Sequence, residues 1–126
     1  MSDILVVEDE EILAEALEDI LRSDGHQVRK AHNGREALES LALGPADLVL
    51  LDMMMPVVDG NAVLEVLRRD APGTGVLVVT SASRDILHGQ RVEGFLRKPF
   101  SLDELLGKVR AVLALQAARG ATVSKR

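Results

Sequence analysis

Three apolar runs, each only four residues long, constrain this chain more than any other feature: residues 4–7 (ILVV), 48–51 (LVLL) and 76–79 (VLVV). Runs this short and this rich in Val, Ile and Leu read as strands buried on both faces of a parallel sheet. Parallel neighbours need crossovers, and the intervening sequence supplies helical patterns. Ile12, Leu13, Ala16, Leu17, Ile20 and Leu21 follow amphipathic spacing, with acids on the other face and Asp24-Gly25 as the stop. Asn33 is placed to cap a second helix that turns Ala37, Leu38 and Leu41 inward and closes at Gly44-Pro45. A third covers residues 60–69. Ser101 caps the last helix, which carries Leu102, Leu105, Leu106, Val109, Val112 and Leu113, with Gly120 as its expected stop. Residues 27–31 make a weaker, polar strand suited to a sheet edge, and residues 93–97 a short final one. Strands alternating with helices give an α/β fold, a doubly wound five-stranded parallel sheet covered on both sides. Residues 1–118 form the domain, and residues 119–126 a loose tail or the start of a linker. One crossover stands apart. Only twelve residues, 81–92, separate the fourth and fifth strands, and Gly89 interrupts them, so a short or frayed helix is expected there.

Length and composition narrow the function. With 126 residues, 47% of them hydrophobic, the chain builds one core, and a formal charge of −5 argues against a nucleic-acid or anionic-membrane surface. There are no cysteines, which excludes disulfide frameworks and thiolate metal sites. The opening MSDILVVEDE has acids where a signal peptide needs bases, and no apolar run is long enough to span a bilayer. The expectation is a soluble, cytoplasmic domain whose Met1 is a genuine amino end. His26, His32 and His88 show no ligand spacing and read as surface residues.

In open parallel sheets ligands bind at the carboxyl ends of the strands. Here strand one ends in Glu8-Asp9-Glu10, strand three in Asp52, strand four in Thr80-Ser81 and strand five in Lys98-Pro99. Carboxylates gathered without His or Cys suit a hard cation such as Mg²⁺, and Thr and Lys are donors suited to an anion beside it. A carboxylate that can attack, a metal and two anion-binding donors make a phosphoryl-transfer site. Each residue taken alone has a plainer reading: helix-start acids as dipole partners, Asp52 as a turn residue, Phe95 as an ordinary core ring. Their joint placement is what points to chemistry. An aspartate-nucleophile phosphohydrolase would want a second acid two residues after Asp52, where Met54 stands, and a dinucleotide enzyme would want a Gly-rich turn where Glu8-Asp9-Glu10 stands.

The blocks VVEDE, LLDMMMPVVDG, VVTSA and FLRKPF, in that order, resemble the signature of the response-regulator receiver domain of two-component signalling. That resemblance implies a flavodoxin-like fold with strand order 2-1-3-4-5. It implies that Asp52 is the phosphoryl acceptor and that Asp9 is a direct ligand of Mg²⁺, with Mn²⁺ as an alternative. Glu8 would act on the metal through water, and Asp52 and the Met54 backbone carbonyl would complete the set. Thr80 would be the hydroxyl that moves to the phosphoryl group, Lys98 its ammonium partner, and Phe95 the ring that turns inward with Thr80. The Lys98-Pro99 bond would be cis. The implied partners are a histidine kinase or phosphotransfer protein and an output protein or domain met at the fourth-strand to fifth-strand face. The resemblance leaves room for a phosphorylation-dependent dimer and offers no direct nucleic-acid contact or membrane insertion by this chain.

Overall fold

Each apolar run becomes a strand with both faces covered. The computed structural model describes residues 2–54 and 60–124, the last five of these for their backbone course only. In chain order the elements are β1 (Asp3–Val7), α1 (Glu11–Ser23), β2 (Gln27–Ala31), α2 (Gly34–Leu43), β3 (Leu48–Leu51), α3 (Gly60–Asp70), β4 (Gly75–Thr80), a 3-10 turn (Arg84–Leu87), β5 (Gly94–Arg97) and α4 (Leu102–Ser124). The sheet is parallel throughout and ordered β2-β1-β3-β4-β5, as expected. Alternate residues of each strand face opposite sides, so two cores form. Leu5, Val7, Val49, Leu51, Val76 and Val78 pack under α2 and α3. Ile4, Val6, Leu48, Leu50, Leu77 and Val79 pack under α1 and α4. No helix among the described residues is long and apolar enough to cross a membrane.

The polar edge strand has a structural use. Arg29 of β2 reaches the end of α2, donating to the Ser40 carbonyl at 2.9 Å and to those of Gly44 and Pro45 at 3.1 and 3.2 Å. These are carbonyls that a helix end leaves without partners. Both predicted caps form. The Asn33 side chain accepts from Glu36 N–H at 2.9 Å, and Ser101 Oγ accepts from Glu104 N–H at 3.1 Å while Glu104 returns the bond to Ser101 N–H at 2.8 Å. Close approach of α4 to the sheet needs glycine. A Cβ on Gly75 would lie 2.7 Å from Val112 Cγ1, and one on Gly94 would lie 3.1 Å from Val112 Cγ2.

The structure corrects three readings. Ile12 and Ala16 do not belong to the buried stripe of α1: Ile12 is 82% exposed, and Ala14, Leu17 and Leu21 face the core instead. At roughly 100° per residue Ile12 lies on the far side of the helix from Ala14. His26 is not a surface residue. Both its ring nitrogens are buried without a hydrogen-bond partner among the described residues, with Asp24 Oδ2 at 3.7 Å from Nε2. The α4 backbone runs through Gly120 to Ser124, since an interior glycine costs a helix only about 1 kcal/mol. The crossover between β4 and β5 bears the short helix expected of it, a single 3-10 turn in place of a full α-helix.

What replaces that helix is a set of bonds from α3. Asn61 Nδ2 donates to the Ile86 carbonyl at 3.0 Å, and its Oδ1 accepts from Gln90 Nε2 at 2.7 Å. Arg68 donates to the Arg91 carbonyl at 3.1 Å and to Glu93 Oε1 at 2.8 Å. Glu93 in turn accepts from Val76 N–H at 2.8 Å, while its own N–H donates to the Val76 carbonyl at 3.1 Å. The connection makes three backbone bonds of its own, from Ile86, His88 and Gln90 N–H to the carbonyls of Ser83, Asp85 and Leu87, and α3 supplies partners for the Ile86 and Arg91 carbonyls. Ile86, Leu87 and Val92 add the apolar contacts.

Gly60 opens α3 against the end of β3. A Cβ there would lie 2.6 Å from Met53 Cα and 3.0 Å from the Asp52 carbonyl oxygen. The sequence pairs Gly60 with Asp59 as a turn, but Asp59 lies outside the described residues. The contact explains Gly60 without it.

Gly60→Ala is therefore expected to destabilise by about 1–3 kcal/mol despite the better helix propensity of alanine, because backbone has to move. Urea titration of the two proteins checks the sign. Glu93 gives a second expectation. Burial works to raise its carboxyl, but the Arg68 hydrogen bond and the Val76 N–H outweigh it and hold the group below the usual glutamate range. A carboxylate depressed in the fold stabilises above its unfolded pKa, and that contribution is lost as pH falls through the folded value. Wild type should exceed Glu93→Gln by about 1–2 kcal/mol at neutral pH. The gap should close as pH falls below the ordinary carboxyl value of about 4.3. Urea midpoints of both proteins from pH 7 down to acid decide it.

Candidate phosphoryl-acceptor site

Strand order and register bring the acids together. β1 and β3 are neighbours, with Val7 opposite Leu51, so the next residues, Glu8 and Asp52, leave the sheet side by side. Asp52 N–H donates to the Val7 carbonyl at 3.1 Å, and Glu8 N–H to the Ala31 carbonyl at 3.0 Å. Both carboxylates are deep, Glu8 2% and Asp52 6% exposed, whereas Asp9 stands open at the rim. One carboxylate oxygen from each of Glu8, Asp9 and Asp52 lies within 4.8 Å of the others.

Like charges this close raise one another's energy, and one cation offsets part of it. Lys98, delivered by the end of β5, donates from Nζ to Glu8 Oε1 at 2.8 Å and to Asp52 Oδ2 at 3.3 Å. The sequence pairs Lys98 with Asp52, and the structure adds Glu8 as its nearer partner. Burial would depress the ammonium, but the hydrogen bond to Glu8 and the charge of Asp52 prevail and hold it above the usual lysine value. For Glu8 the balance tips the other way: burial pushes its carboxyl up in spite of Lys98. The Lys98-Pro99 bond is cis, as the resemblance implies.

The remaining oxygens are distributed unequally. Glu8 Oε2 accepts from Glu10 N–H at 3.1 Å, so both Glu8 oxygens are engaged. Asp52 Oδ1 accepts from Met54 N–H at 3.0 Å. The Asp9 side chain makes no hydrogen bond or ion pair among the described residues, which leaves it the most available of the three. An all-oxygen donor set with one free carboxylate and no His or Cys fits a hard divalent cation.

Thr80 is wholly buried at the end of β4, and its Oγ1 accepts from Ala82 N–H at 3.3 Å. Phe95 sits opposite Val78 in the β4–β5 register and is half-buried against the α3-side core. Thr80 and Val78 point to the same side of β4, so Phe95 and Thr80 are diagonal neighbours under the crossover. Met54 is 56% exposed and lays its sulfur 4.0 Å from Ser81 Oγ, reaching from the β3 end toward the β4 end.

Glu8, Asp9, Asp52, Met54, Thr80 and Lys98 thus lie at the carboxyl ends of the strands, and Phe95 lies one diagonal step further into the sheet. What sequence reading missed is the Glu8–Lys98 pair, ninety positions apart, and the Met54–Ser81 contact. Also missed was Arg84, whose guanidinium lies 5.0 Å from the centroid of the Phe95 ring. A cation one short turn from an aromatic strand residue has no local signature.

The family profile described as response regulator receiver domain matches residues 4–110. The response regulator MprA of Mycolicibacterium vanbaalenii is 41% identical over 117 residues, covering 87% of this chain and 49% of that protein. The transcriptional regulatory protein YkoG of Bacillus subtilis is 40% identical over 114 residues, covering 87% of this chain and 50% of that one. The chain therefore spans about half the length of these curated relatives. Among solved structures, the response regulator TrrA of Thermotoga maritima, in complex with Mg²⁺-BeF, superposes with a TM-score of 0.82 at 34% identity, covering 89% of this chain and 99% of that one. With a matching profile over most of its length, relatives at this identity and the same five-stranded fold, the chain belongs to the response-regulator receiver-domain family of two-component signalling.

Proposed function

We propose that Asp52 is the phosphoryl acceptor of this receiver domain and that the acid cluster binds Mg²⁺, or Mn²⁺ in its place. The observation that carries the reading is the pairing of a buried, lysine-bridged Asp52 with an unengaged Asp9 inside one 4.8 Å cluster. Asp9 is the direct ligand, together with Asp52 and the Met54 carbonyl. Glu8, with both oxygens already bonded to Lys98 and Glu10, acts through water. When bound, the cation relieves the repulsion among the acids and neutralises charge on the phosphoryl oxygens.

The residues of the chain do the rest. An Asp52 carboxylate oxygen bonds to phosphorus as the P–N bond of a phosphohistidine breaks, and the imidazole leaves with the electron pair. The product is an acyl phosphate. Lys98, already within 3.3 Å of Asp52, stays on the growing negative charge. Thr80 gives up Ala82 N–H and donates to a phosphoryl oxygen, and Phe95 follows into the space it leaves. The donor is a histidine kinase or phosphotransfer protein in the cytoplasm. The output is read from the β4–β5 face by a partner or by an appended domain, the receiver unit being residues 1–118. The chain takes and loses its own phosphoryl group and turns over no other substrate.

Incubation with acetyl phosphate and Mg²⁺ should add one phosphoryl mass, which Asp52→Asn or EDTA abolishes; unchanged incorporation in either sinks the assignment. The lifetime of the adduct is a second expectation. Hydrolysis needs a water in line with phosphorus, and polar side chains at the mouth orient it. Met54 and Ala82 offer none, and the Met54 side chain spans the mouth toward Ser81. Met54→Asn and Ala82→Glu should each lose phosphate several-fold faster after donor removal, a tenfold change being about 1.4 kcal/mol of barrier. Equal or slower loss in both variants contradicts the role of Met54 in excluding water.

A further inference from the structure

The crossover from β4 to β5 has no helix to lay over Phe95, and this leaves one question: what keeps the ring where it is? One face of Phe95 rests on the core beneath α3. Over the ring, at 5.0 Å from its centroid, lies the Arg84 guanidinium. Arg84 is exposed, and among the described residues its side chain makes no hydrogen bond or ion pair that would hold it elsewhere. The other fastenings of the crossover come from Asn61, Arg68 and Arg97 and touch its backbone, Gln90 and Glu93, not the ring.

Arg84 is also tied to the acceptor side of the site. It opens the 3-10 turn four residues after Thr80, on a loop whose Ala82 N–H is bonded to Thr80 Oγ1. When the Thr80 hydroxyl turns away from Ala82, the loop that carries Arg84 loses one fastening to the sheet and keeps only the long bond of Arg97 Nε to the Ser81 carbonyl, at 3.4 Å, among the described residues. A packed helix would resist that release. A single flexible cation over a ring face does not.

We infer that Arg84 is the latch of this switch, a positioning residue whose guanidinium holds Phe95 in its half-exposed resting place. The ring turns inward when the loop carries Arg84 off it. The inference rests on the reading of Asp52 as acceptor and Phe95 as the mobile ring, and it adds the element that sets the resting balance between the two ring positions. A cation over an exposed ring is worth enough to shift a two-state balance by about two- to fivefold.

The chain has only two phenylalanines, Phe95 and Phe100, so fluorophenylalanine labelling gives two ¹⁹F lines, assigned with Phe100→Leu. The readout is the H₂O/D₂O solvent isotope shift of the Phe95 line, which measures how wet the ring is, in the full 126-residue chain. If Arg84 is a latch, Arg84→Ala lets the ring go inward, and the isotope shift falls toward the value of the phosphorylated wild type. If Arg84 is only a cover, removing it wets the ring, and the shift rises. Arg84→Lys should fall between, and Arg91→Ala, an exposed arginine of the same crossover whose side chain is off the ring, should match wild type. With acetyl phosphate and Mg²⁺, Arg84→Ala should also take up phosphate about threefold faster, because more of it rests in the receptive state. An isotope shift that rises or stays at the wild-type value in Arg84→Ala overturns the latch. Failure of wild type to take up phosphate overturns the acceptor reading instead, and the donor-free isotope shift still decides the latch.

Discussion

Three carboxylates confined within 4.8 Å at the end of a sheet repel one another, and the architecture around them answers that repulsion. The adjacency of β1 and β3 makes the crowding unavoidable, since Glu8 and Asp52 leave paired strands at the same level. Among the described residues Lys98 is the one cation brought among them, and it comes from the far edge of the sheet, two strands away from Asp52. The parallel order that gathers the acids is the same order that lets β5 deliver their counter-ion. One lysine against three acids leaves net negative charge, and a cation held there lowers it further.

The second constraint is the missing helix. Receiver-type sheets alternate strand and helix, and here a crossover has been reduced to a 3-10 turn. The sheet still closes because α3 does double duty: its apolar side, Val63, Leu64 and Leu67, fills the core, while Asn61 and Arg68 hold the crossover. Glu93 completes the arrangement by bonding Val76 through both backbone and side chain, so the first rung of the β4–β5 pairing is doubled. Gly75 and Gly94 then let α4 sit close against those two strands from the other side.

Strands and site were legible in the sequence because their signals are local. Four apolar residues in a row announce β3, and the residue that follows, Asp52, is at the rim by position alone. The caps Asn33 and Ser101 were legible for the same reason. The shortness of the crossover could be counted, but its fate could not. What holds it comes from residues about 25 positions away, and no pattern in residues 81–92 encodes that. The phase of α1 was misread because apolar residues outnumber the places its core offers, so Ile12 and Ala16 fitted the spacing and yet face water. Lys98 was assigned to Asp52 by its type, and only the register shows that Glu8 is nearer.

The reduced crossover has a consequence for recognition by other molecules. A helix on that flank would present ridges of side chains at fixed intervals, and a partner could be shaped to them. Here the same flank offers a turn, loop backbone and scattered arginines, Arg84, Arg91 and Arg97. Discrimination is a difference between affinities, and lacking the right shape is as effective as bearing a clash. A partner moulded to a helical ridge would meet a different shape on this flank, so the length of one crossover bears on which molecules that surface admits.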